Sequence, residues 1–355
     1  MIISLFGIYD KHYSRNRVII NGWLENGVKV MEICERQGGF FKYFKLGWQL
    51  FKKRSSFDYL WVAFPGQVCV ILAKLLTRKK IIFDCFTSHY QGLVEDRKVI
   101  RRNSVKAKIN FWLDKFSCRL ADLVILDTNE HIKYFVETFQ LPKDKFIRLF
   151  VGSDDNVYYP REKSSSDKFL VHWHGHYIPL QGAEIIIEAA NILKDNKEIE
   201  FKMIGRGQQY QKCRQLADKH HLKNINFMDN ISYEQLAEQL AEANLSLGIF
   251  SLSQKASLVI PNKIYEALAS ARALITEESP AAKELLTNGE NVLFCRAGSS
   301  DDLASKILEL KKDQELRDKI AKAGYQLFDG QLRPKKLIRE LITKINVYFN
   351  PAISK

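Results

Sequence analysis

Residues 59–84 read YLWVAFPGQVCVILAKLLTRKKIIFD and contain a strand, a turn, a helix and a second strand. The apolar runs Tyr59–Phe64 and Lys80–Asp84 are each short enough for a buried strand. Between them, a Pro-Gly turn precedes a helical stretch, Gln67–Leu76. Two consecutive strands joined through a helix lie parallel in one sheet, so this stretch predicts an α/β fold.

The same alternation of apolar runs and amphipathic stretches extends along the whole chain. In the first half we predict further strands at Ile2–Phe6, Val28–Ile33, Leu123–Asp127 and Ile147–Val151, and further helices at Ser14–Asn26 and Ser104–Leu120. In the second half the predicted strands are Phe169–Trp173, Glu200–Ile204, Ile225–Met228, Leu245–Ile249, Ala273–Thr276 and Asn291–Phe294. The predicted helices there are Ala183–Lys194, Gln208–His220, Ser232–Ala241, Asn262–Ser270, Ala281–Asn288, Ser300–Lys311 and Pro334–Tyr348. We therefore expect two doubly wound, Rossmann-like domains facing across a cleft, with ligands at the carboxyl ends of the strands.

Domain boundaries follow from the chain length and from one polar stretch. A chain of 355 residues is too long for one ordinary domain and suits two. Residues 152–167, GSDDNVYYPREKSSSD, interrupt the alternation with a proline and three consecutive serines. We predict a first domain at 1–155, a linker at 156–168, a second domain at 169–330, and a helix within 331–355 that packs back on the first domain.

Cysteine usage and charge limit the classes of function. The six cysteines have neither metal-ligand nor redox-motif spacing, which indicates a reducing compartment. We expect no signal peptide and no membrane-spanning segment, and hence a cytoplasmic protein that is soluble or peripheral on the inner face of the membrane. The formal net charge is +13, and the first 160 residues carry 26 Lys and Arg against 16 Asp and Glu. This excess fits either ordinary solubilising charge or a polyanionic partner, but no nucleic-acid-binding motif accompanies it.

Three glycine turns directly follow predicted strands. They contain Gly7, Gly175, and Gly205 with Gly207. A strand, a glycine turn and a helix amino terminus together bring backbone N–H groups and the helix dipole to a phosphate. None of the three is a complete dinucleotide or P-loop motif, so each also fits a tight turn without a ligand.

Residues 259–269, VIPNKIYEALA, are more specific. Pro261 suits the start of a helix, whose first free N–H groups, including that of Asn262, would face the cleft. Lys263 lies where a cation would neutralise a diphosphate, and Glu266, one turn later, suits two ribose hydroxyls. An ordinary helix with a carboxylate near its positive end is the alternative, but the position at the expected cleft favours a nucleotide site.

With these stretches the chain resembles glycosyltransferase family 4, which has the two-Rossmann GT-B fold. The matching stretches of the second half are Gly175–Gly182 (GHYIPLQG), Met203–Gly207 (MIGRG), Ile225–Ile231 (INFMDNI), Pro261–Ala269 and Phe294–Ala304. Looser matches in the first half are Gly22–Val30, Arg119–Asp122 and Arg148–Tyr159. The resemblance covers nearly the whole chain. It implies a nucleotide-sugar donor on the second domain, a glycan or lipid-linked acceptor on the first, and retaining sugar transfer without a metal or other cofactor.

The resemblance also implies site residues, with some departures from the family pattern. The donor-binding candidates are Gly7, Gly175, His176, Gln181, Gly205, Arg206, Gly207, Ile231, Lys255, Pro261, Asn262, Lys263 and Glu266, and Lys263 is also a catalytic candidate. His176 and Gln181 stand where the family usually has Arg and Lys, and the first acid of its Glu-x7-Glu motif falls on Leu258. Lys255 and Lys263 could supply the phosphate charge instead. A nucleotide-sugar-binding subunit without activity is therefore an alternative to an active transferase.

Residues 84–90, DCFTSHY, follow a strand and should line the cleft on the first domain. Because many family members have a His near this place, Asp84 and His89 are candidate catalytic residues, and Ser88 is a candidate acceptor contact. Three further candidate acceptor contacts are Arg15, Asn16 and Arg97. The two arginines suit an acceptor phosphate, since a guanidinium binds phosphate bidentately. A surface salt bridge is the alternative for each arginine.

Two other patterns carry opposite expectations. His172, His174 and His176 alternate along one predicted strand, but no acidic partner is adjacent, so we expect no metal site.

Phe40–Arg54, FFKYFKLGWQLFKKR, places aromatic residues and lysines on opposite sides of a helix. That composition suits a helix lying on an anionic membrane, while a helix packing its apolar face on the sheet is the alternative.

Overall fold

The computed structural model describes residues 1–163 and 167–350, which form two units. The first unit comprises Met1–Val151 and the segment from Arg333 onward, and the second comprises Gly152–Leu332. Residues 164–166 of the predicted linker and residues 351–355 of the predicted final segment lie outside the described residues.

Strands and helices alternate in both units. The strands are β1 Ile2–Gly7, β2 Lys29–Cys34, β3 Tyr59–Val62, β4 Lys80–Asp84, β5 Leu123–Leu126, β6 Phe146–Arg148, β7 Phe169–His174, β8 Ile199–Ile204, β9 Ile225–Met228, β10 Leu245–Leu247, β11 Ala273–Glu277 and β12 Leu293–Cys295. The helices are α1 Ser14–Glu25, α2 Phe41–Lys53, α3 Gln67–Leu76, α4 Val105–Leu120, α5 Asn129–Phe139, α6 Ala183–Ile192, α7 Tyr210–Lys219, α8 Tyr233–Ala241, α9 Asn262–Ala269, α10 Pro280–Lys283, α11 Ser300–Lys312, α12 Gln314–Leu327 and α13 Pro334–Phe349.

Each unit contains one six-stranded parallel sheet. The strand orders are β2-β1-β3-β4-β5-β6 and β12-β11-β10-β7-β8-β9. In the first sheet Ser4 pairs with Met31 on one side and Leu60 on the other. The order reverses beside the first strand of each unit, at β1–β3 and at β7–β10, and ligands of doubly wound sheets bind at the carboxyl ends of such strands. The predicted α/β class, with two Rossmann-like units, is confirmed.

The core of the second unit is built by strands that are buried on both faces. Val171, Phe201 and Ile275 on the sheet are at most 1% exposed, and they belong to one apolar cluster with Ile187 of α6 and Ile307 of α11. Helices on the sheet faces shield these apolar side chains from water.

Two α-helices were not predicted from the sequence, and a third is shorter than predicted by more than one turn. The missed helices are α5 and α12, which begin at side-chain caps: Thr128 accepts from the N–H of His131 at 3.0 Å, and Asp313 from that of Leu316 at 2.8 Å. The predicted helix Ala281–Asn288 ends at Lys283. Beyond it the side chain of Asn288 accepts from the backbone N–H of Phe294 at 2.8 Å, so a loop replaces further helical turns.

Helix α13, at the end of the chain, packs on α1 of the first unit. Four apolar residues of α13 are at most 2% exposed: Leu337, Ile338, Leu341 and Ile345. At the contact, a Cβ on Gly22 would lie 2.2 Å from Cγ1 of Ile338 and 2.5 Å from the carbonyl oxygen of Pro334. Gly22 therefore allows the backbones of the two helices to approach closely.

Candidate functional site

The glycine turns at the carboxyl ends of β7 and β8 lie against each other. Gly175 follows β7 with a φ of +150°, and Gly205 follows β8 with a φ of +133°. A Cβ on Gly205 would lie 2.1 Å from the carbonyl oxygen of Gly175, and one on Gly207 would lie 2.6 Å from the nitrogen of Tyr177. Both positions therefore require glycine, because the two turns pack backbone against backbone at this edge of the sheet.

Helix α9 begins beside these turns and carries Lys263 in its first turn. Pro261 precedes the helix in an extended conformation, where its missing N–H costs no helical hydrogen bond. Nζ of Lys263 donates to Oε1 of Gln181 at 2.5 Å and lies 4.1 Å from the ring centroid of Trp173. The same atom lies 3.0 Å from the position of a Cβ on Gly175. Lys263 is therefore a buried amine held against the first glycine turn.

Glu266, one turn further along α9, is joined to two buried histidines of β7. Its Oε2 lies 2.7 Å from Nε2 of His174, and Nδ1 of His174 lies 2.9 Å from Nε2 of His172. Glu266 is 4% exposed and His172 is fully buried. The two histidines, on the same side of the strand, therefore support the carboxyl group from the interior of the second unit.

Burial sets the protonation of this group of side chains. It raises the pKa of Glu266 to about 8, against the opposing charge of Lys263. Burial, and to a lesser degree the charge of Lys263, lowers the pKa of His174 to about 3. The pKa of Lys263 is itself well below its ordinary value because the amine is buried. At neutral pH Glu266 and His174 therefore form a neutral hydrogen bond, and Oε1 of Glu266 can accept from a ligand.

The other predicted donor residues lie around this group. Asn262 opens α9 and is half-buried, while His176 is exposed beside Gly175. Arg206 is ion-paired with Asp229, and its Cζ lies 4.0 Å from the ring centroid of Tyr210. Three further positions follow β9 or β10 in the chain. Ile231 and Lys255 are half-buried, and Leu258 is buried.

Arg15 and Asp84 form a buried ion pair in the first unit. Both side chains are fully buried, and Nη2 of Arg15 lies 2.8 Å from Oδ1 of Asp84. Nη1 of Arg15 donates to the carbonyl oxygens of Leu149 and Phe150, at 3.1 and 3.3 Å. The guanidinium thus joins α1, β4 and the chain after β6. The ion pair of Arg15 is therefore buried and not on the surface, and the acceptor role of Arg15 and the catalytic role of Asp84 stay predictions.

Ser88 is likewise engaged inside the first unit. Its hydroxyl donates to Oδ2 of the buried Asp114 at 2.7 Å, and the N–H groups of Tyr90 and His89 donate to the same carboxylate. Asn16 donates to the carbonyl oxygen of Asp10 at 2.8 Å.

The other predicted residues of the first unit are placed differently. Gly7 ends β1 with a φ of +147° and is buried. His89 is half-buried and Arg97 is exposed, so of the acceptor-side candidates these two are the more accessible.

Helix α2 exposes its aromatic residues instead of packing them on the sheet. Phe41, Phe44 and Trp48 are 76%, 75% and 54% exposed, and Leu46 and Leu50 are the side chains that α2 buries. Helix α2 therefore packs through Leu46 and Leu50 and leaves its aromatic side chains exposed. Its contact with a membrane stays a prediction.

Helix α4 carries a second exposed apolar stripe in the same unit. Its members are Val105, Ile109, Trp112 and Phe116, which are 72%, 59%, 48% and 45% exposed. They recur at helical spacing, with lysines such as Lys115 between them. Helix α3 packs between α2 and α4. The two exposed stripes therefore lie on helices that both pack against α3.

Groups of metal ligands and membrane-spanning helices are both absent from residues 1–163 and 167–350. Over these residues no three His, Cys, Asp or Glu side chains are grouped so that they could hold a metal ion. Within the same ranges, no helix has the length and apolarity needed to cross a membrane.

Sequence reasoning missed several residues of the second-unit site. Trp173, under the amine of Lys263, reads as one more apolar residue of a strand. The histidines of β7 were noticed as an alternating pattern, but their connection to Glu266 spans 92 residues and leaves no local signal. Glu277 ends β11 and is 2% exposed, and the position of an acid at the end of a buried strand could have identified it.

Comparison with known proteins agrees with this geometry. Residues 154–327 match the sequence model of the family described as Glycosyl transferases group 1. That range contains the glycine turns, Lys263 and Glu266. Nearly the whole second unit thus resembles this family, and the fold of two Rossmann-like units is the one called GT-B.

Particular relatives are more distant. The chain is 26% identical to an uncharacterized glycosyltransferase of Methanocaldococcus jannaschii over 74% of this chain and 67% of that protein. It is 22% identical to the N-acetyl-alpha-D-glucosaminyl L-malate synthase of Bacillus anthracis over 82% of this chain and 75% of that enzyme.

Solved structures share the fold. The HepE protein of Anabaena in complex with UDP-glucose has a TM-score of 0.75 at 14% identity, and covers 98% of this chain and 99% of that chain. The sucrose-phosphate synthase of Thermosynechococcus elongatus has a TM-score of 0.77 at 12% identity over the same shares. At these identities the likeness concerns the fold alone.

Proposed function

We propose that this protein transfers a sugar from a nucleotide-sugar donor to a glycan or lipid-linked acceptor, with retention of anomeric configuration and without a metal ion. The single observation that carries the proposal is the placement of Lys263 and Glu266 on the first turns of α9, against the glycine turns of β7 and β8. HepE, which shares the fold, was crystallised with UDP-glucose, and this supports a nucleotide sugar as the donor.

The donor roles follow from the chemistry of each group. A diphosphate at the Gly175 turn would meet backbone N–H groups, the amino terminus of α9 and the amine of Lys263. The ribose hydroxyls would donate to Oε1 of Glu266, which His174 holds by its other oxygen. Gln181 would release the amine of Lys263 to the phosphate, because an anion is a stronger acceptor than an amide oxygen.

The proposed chemistry is stabilisation of a leaving diphosphate. Negative charge grows on the diphosphate as its bond to the sugar breaks, and preorganised donors at that place lower the barrier. Lys263 has a lowered pKa in the protein alone because it is buried. Binding of an anion beside it would raise that pKa, so we expect Lys263 to take up a proton with the donor.

For the acceptor we propose the first unit, with His89 and Arg97 as its accessible contacts. The membrane is part of this proposal. The exposed aromatic residues of α2 and the exposed stripe of α4 lie among lysines, and lysines near an anionic surface contribute about 1 kcal/mol each. A lipid-linked acceptor on the inner face of a membrane would suit such a surface. The six free cysteines support a reducing, cytoplasmic location.

The test is a panel of nucleotide sugars, UDP-glucose, UDP-N-acetylglucosamine and GDP-mannose, measured by thermal shift and then by transfer to candidate acceptors. A ligand at 100 times its Kd should stabilise the protein by about 2.7 kcal/mol. Binding followed by sugar transfer supports the proposal. Binding without transfer or donor hydrolysis, in the presence of membrane extracts as acceptor source, would identify a nucleotide-sugar-binding subunit instead.

A further inference from the structure

Glu277 is a buried acid at the carboxyl end of β11 that the donor roles above do not use. It is 2% exposed. Its carboxyl group accepts a hydrogen bond from the backbone N–H of Ser251, and its Oε2 has no hydrogen-bond partner among residues 1–163 and 167–350. Burying an unsatisfied acceptor is costly, so a residue kept in this state calls for a reason beyond stability.

The surroundings of Glu277 connect it to the donor site. A Cβ on Gly182 would lie only 2.7 Å from the nitrogen of Ser251, the same nitrogen that donates to Glu277. The residue before Gly182 is Gln181, whose side chain accepts from Lys263 and whose backbone carbonyl accepts from the N–H of Phe250 at 3.2 Å. Glu277 is therefore one loop away from the group formed by Gln181 and Lys263.

The chemistry of a carboxyl group decides which part of a nucleotide sugar it could contact. A carboxylate repels phosphate, so Glu277 does not suit the diphosphate. Among residues 1–163 and 167–350, Glu277 belongs to no group of three or more His, Cys, Asp or Glu side chains that could hold a metal ion. The neutral, hydroxyl-rich part of the ligand is the sugar, and a carboxyl oxygen is the acceptor that two or more hydroxyls require.

We infer that Glu277 binds the transferred sugar, accepting hydrogen bonds from its hydroxyl groups. This inference rests on the proposed donor function. Burial raises the pKa of Glu277 to about 8, so the group is largely neutral before the ligand arrives. Hydroxyl donors would stabilise its charged form and bring that pKa down.

The experiment compares Glu277→Leu, which keeps the buried volume but removes both acceptors, with Glu277→Gln, which keeps one. Dissociation constants are measured by calorimetry for UDP-glucose, UDP-N-acetylglucosamine and GDP-mannose, and for UDP and GDP alone. We expect Glu277→Leu to weaken the nucleotide sugar that wild type prefers at least tenfold and to leave its nucleoside diphosphate within twofold. Glu277→Gln should recover part of the loss. The matched control is Glu278→Gln. Glu278 is the next residue in the chain, is half-exposed and forms an ion pair with Lys283.

The melting temperature without ligand separates a binding role from a structural one. If Glu277 is kept for a ligand, Glu277→Leu should melt at or above wild type, because it removes a buried unsatisfied acceptor. Equal affinity of wild type and Glu277→Leu for the nucleotide sugar overturns this inference and leaves the donor function intact. Loss of UDP or GDP binding together with a lower melting temperature also overturns it. If wild type binds none of the five compounds, the donor function fails and this inference with it.

Discussion

Lys263 and Glu266 are ionisable groups that the protein buries within one turn of a helix. Each is 4% exposed. Burial lowers the pKa of Lys263 and raises the pKa of Glu266, so it favours the neutral form of both groups. Ionisable groups in this condition are characteristic of functional sites, because a structure selected for stability alone would replace them with apolar residues. Two predictions follow at this scale.

Glu266→Gln should change the pH dependence of stability. The pKa of Glu266 rises from 4.5 to about 8 on folding, so the folded protein retains a proton that the unfolded chain releases. The contribution of Glu266 to the free energy of unfolding should therefore fall as pH rises from about 4.5 to about 8, and Gln at this position removes that contribution. Melting temperatures measured across this range should show the variant gaining on wild type as pH rises. Exposed Glu290→Gln is the control, and a constant difference between Glu266→Gln and wild type would disprove the prediction.

Lys263→Ala should lower kcat more than it raises the KM for the donor. The reason is that the negative charge of the diphosphate is greatest in the transition state, where the loss of one stabilising donor costs about a hundredfold to a thousandfold in rate. Steady-state kinetics with the preferred donor provide the measurement. Lys202→Ala is the matched control, because Nζ of Lys202 also donates to a glutamine side chain, that of Gln239, at 2.7 Å. An unchanged kcat in a folded Lys263→Ala protein would remove Lys263 from the catalytic residues.

At the scale of elements, the packing of α13 on α1 depends on Gly22. Replacing a glycine inside a helix by Ala normally stabilises by about 1 kcal/mol. Here the new Cβ would meet Ile338 and the backbone of Pro334. We therefore expect Gly22→Ala to lower the free energy of unfolding by about 1–3 kcal/mol through overpacking.

Chemical denaturation of Gly22→Ala and Gly330→Ala provides the comparison. A Cβ on Gly330 would meet no atom within 4 Å, so that variant should be neutral or slightly stabilised. If Gly22→Ala is stabilised instead, α13 lies farther from α1 than the structure shows.

Helix α2 should provide most of the membrane affinity of the first unit. Replacing Lys42, Lys45, Lys52 and Lys53 by Gln should release the protein from anionic vesicles, and should leave the affinity for the donor unchanged. Co-sedimentation with phosphatidylserine-containing and neutral vesicles measures this. The control changes the same charge on the second unit at four exposed lysines, Lys194, Lys212, Lys219 and Lys322. Equal loss of binding in both variants would mean that net charge, and not α2, governs docking.

At the scale of the whole molecule, the net charge of +13 is concentrated in the first 160 residues. Docking on an anionic bilayer should therefore weaken as salt rises past about 0.15 M, where charges are screened beyond about 8 Å. The exposed aromatic residues of α2 and α4 should add a part that salt does not remove. Co-sedimentation of wild type over a salt series measures both parts, and binding that ignores salt would contradict the electrostatic one.

The order of strands and helices could be predicted from the amino-acid sequence, because a buried strand and an amphipathic helix each leave a local periodic pattern. The same local signals make Gly175, Lys263 and Glu266 candidate site residues, because they lie at the end of a strand or the start of a helix. Helices α5 and α12 were missed, although Thr128 and Asp313 are residues that favour a helix start.

Which side chains meet was decided by the tertiary structure. Arg15 lies 69 residues from Asp84, and His174 lies 92 residues from Glu266, yet each pair shares a hydrogen bond. The sequence presents Arg15 as a ligand-binding cation, and only the fold shows that it is buried in an ion pair with Asp84. It presents the aromatic residues of α2 as a candidate core face, but Leu46 and Leu50 occupy the core and leave the rings exposed. Burial and partnership arise from contacts between distant segments, and a local pattern does not contain them.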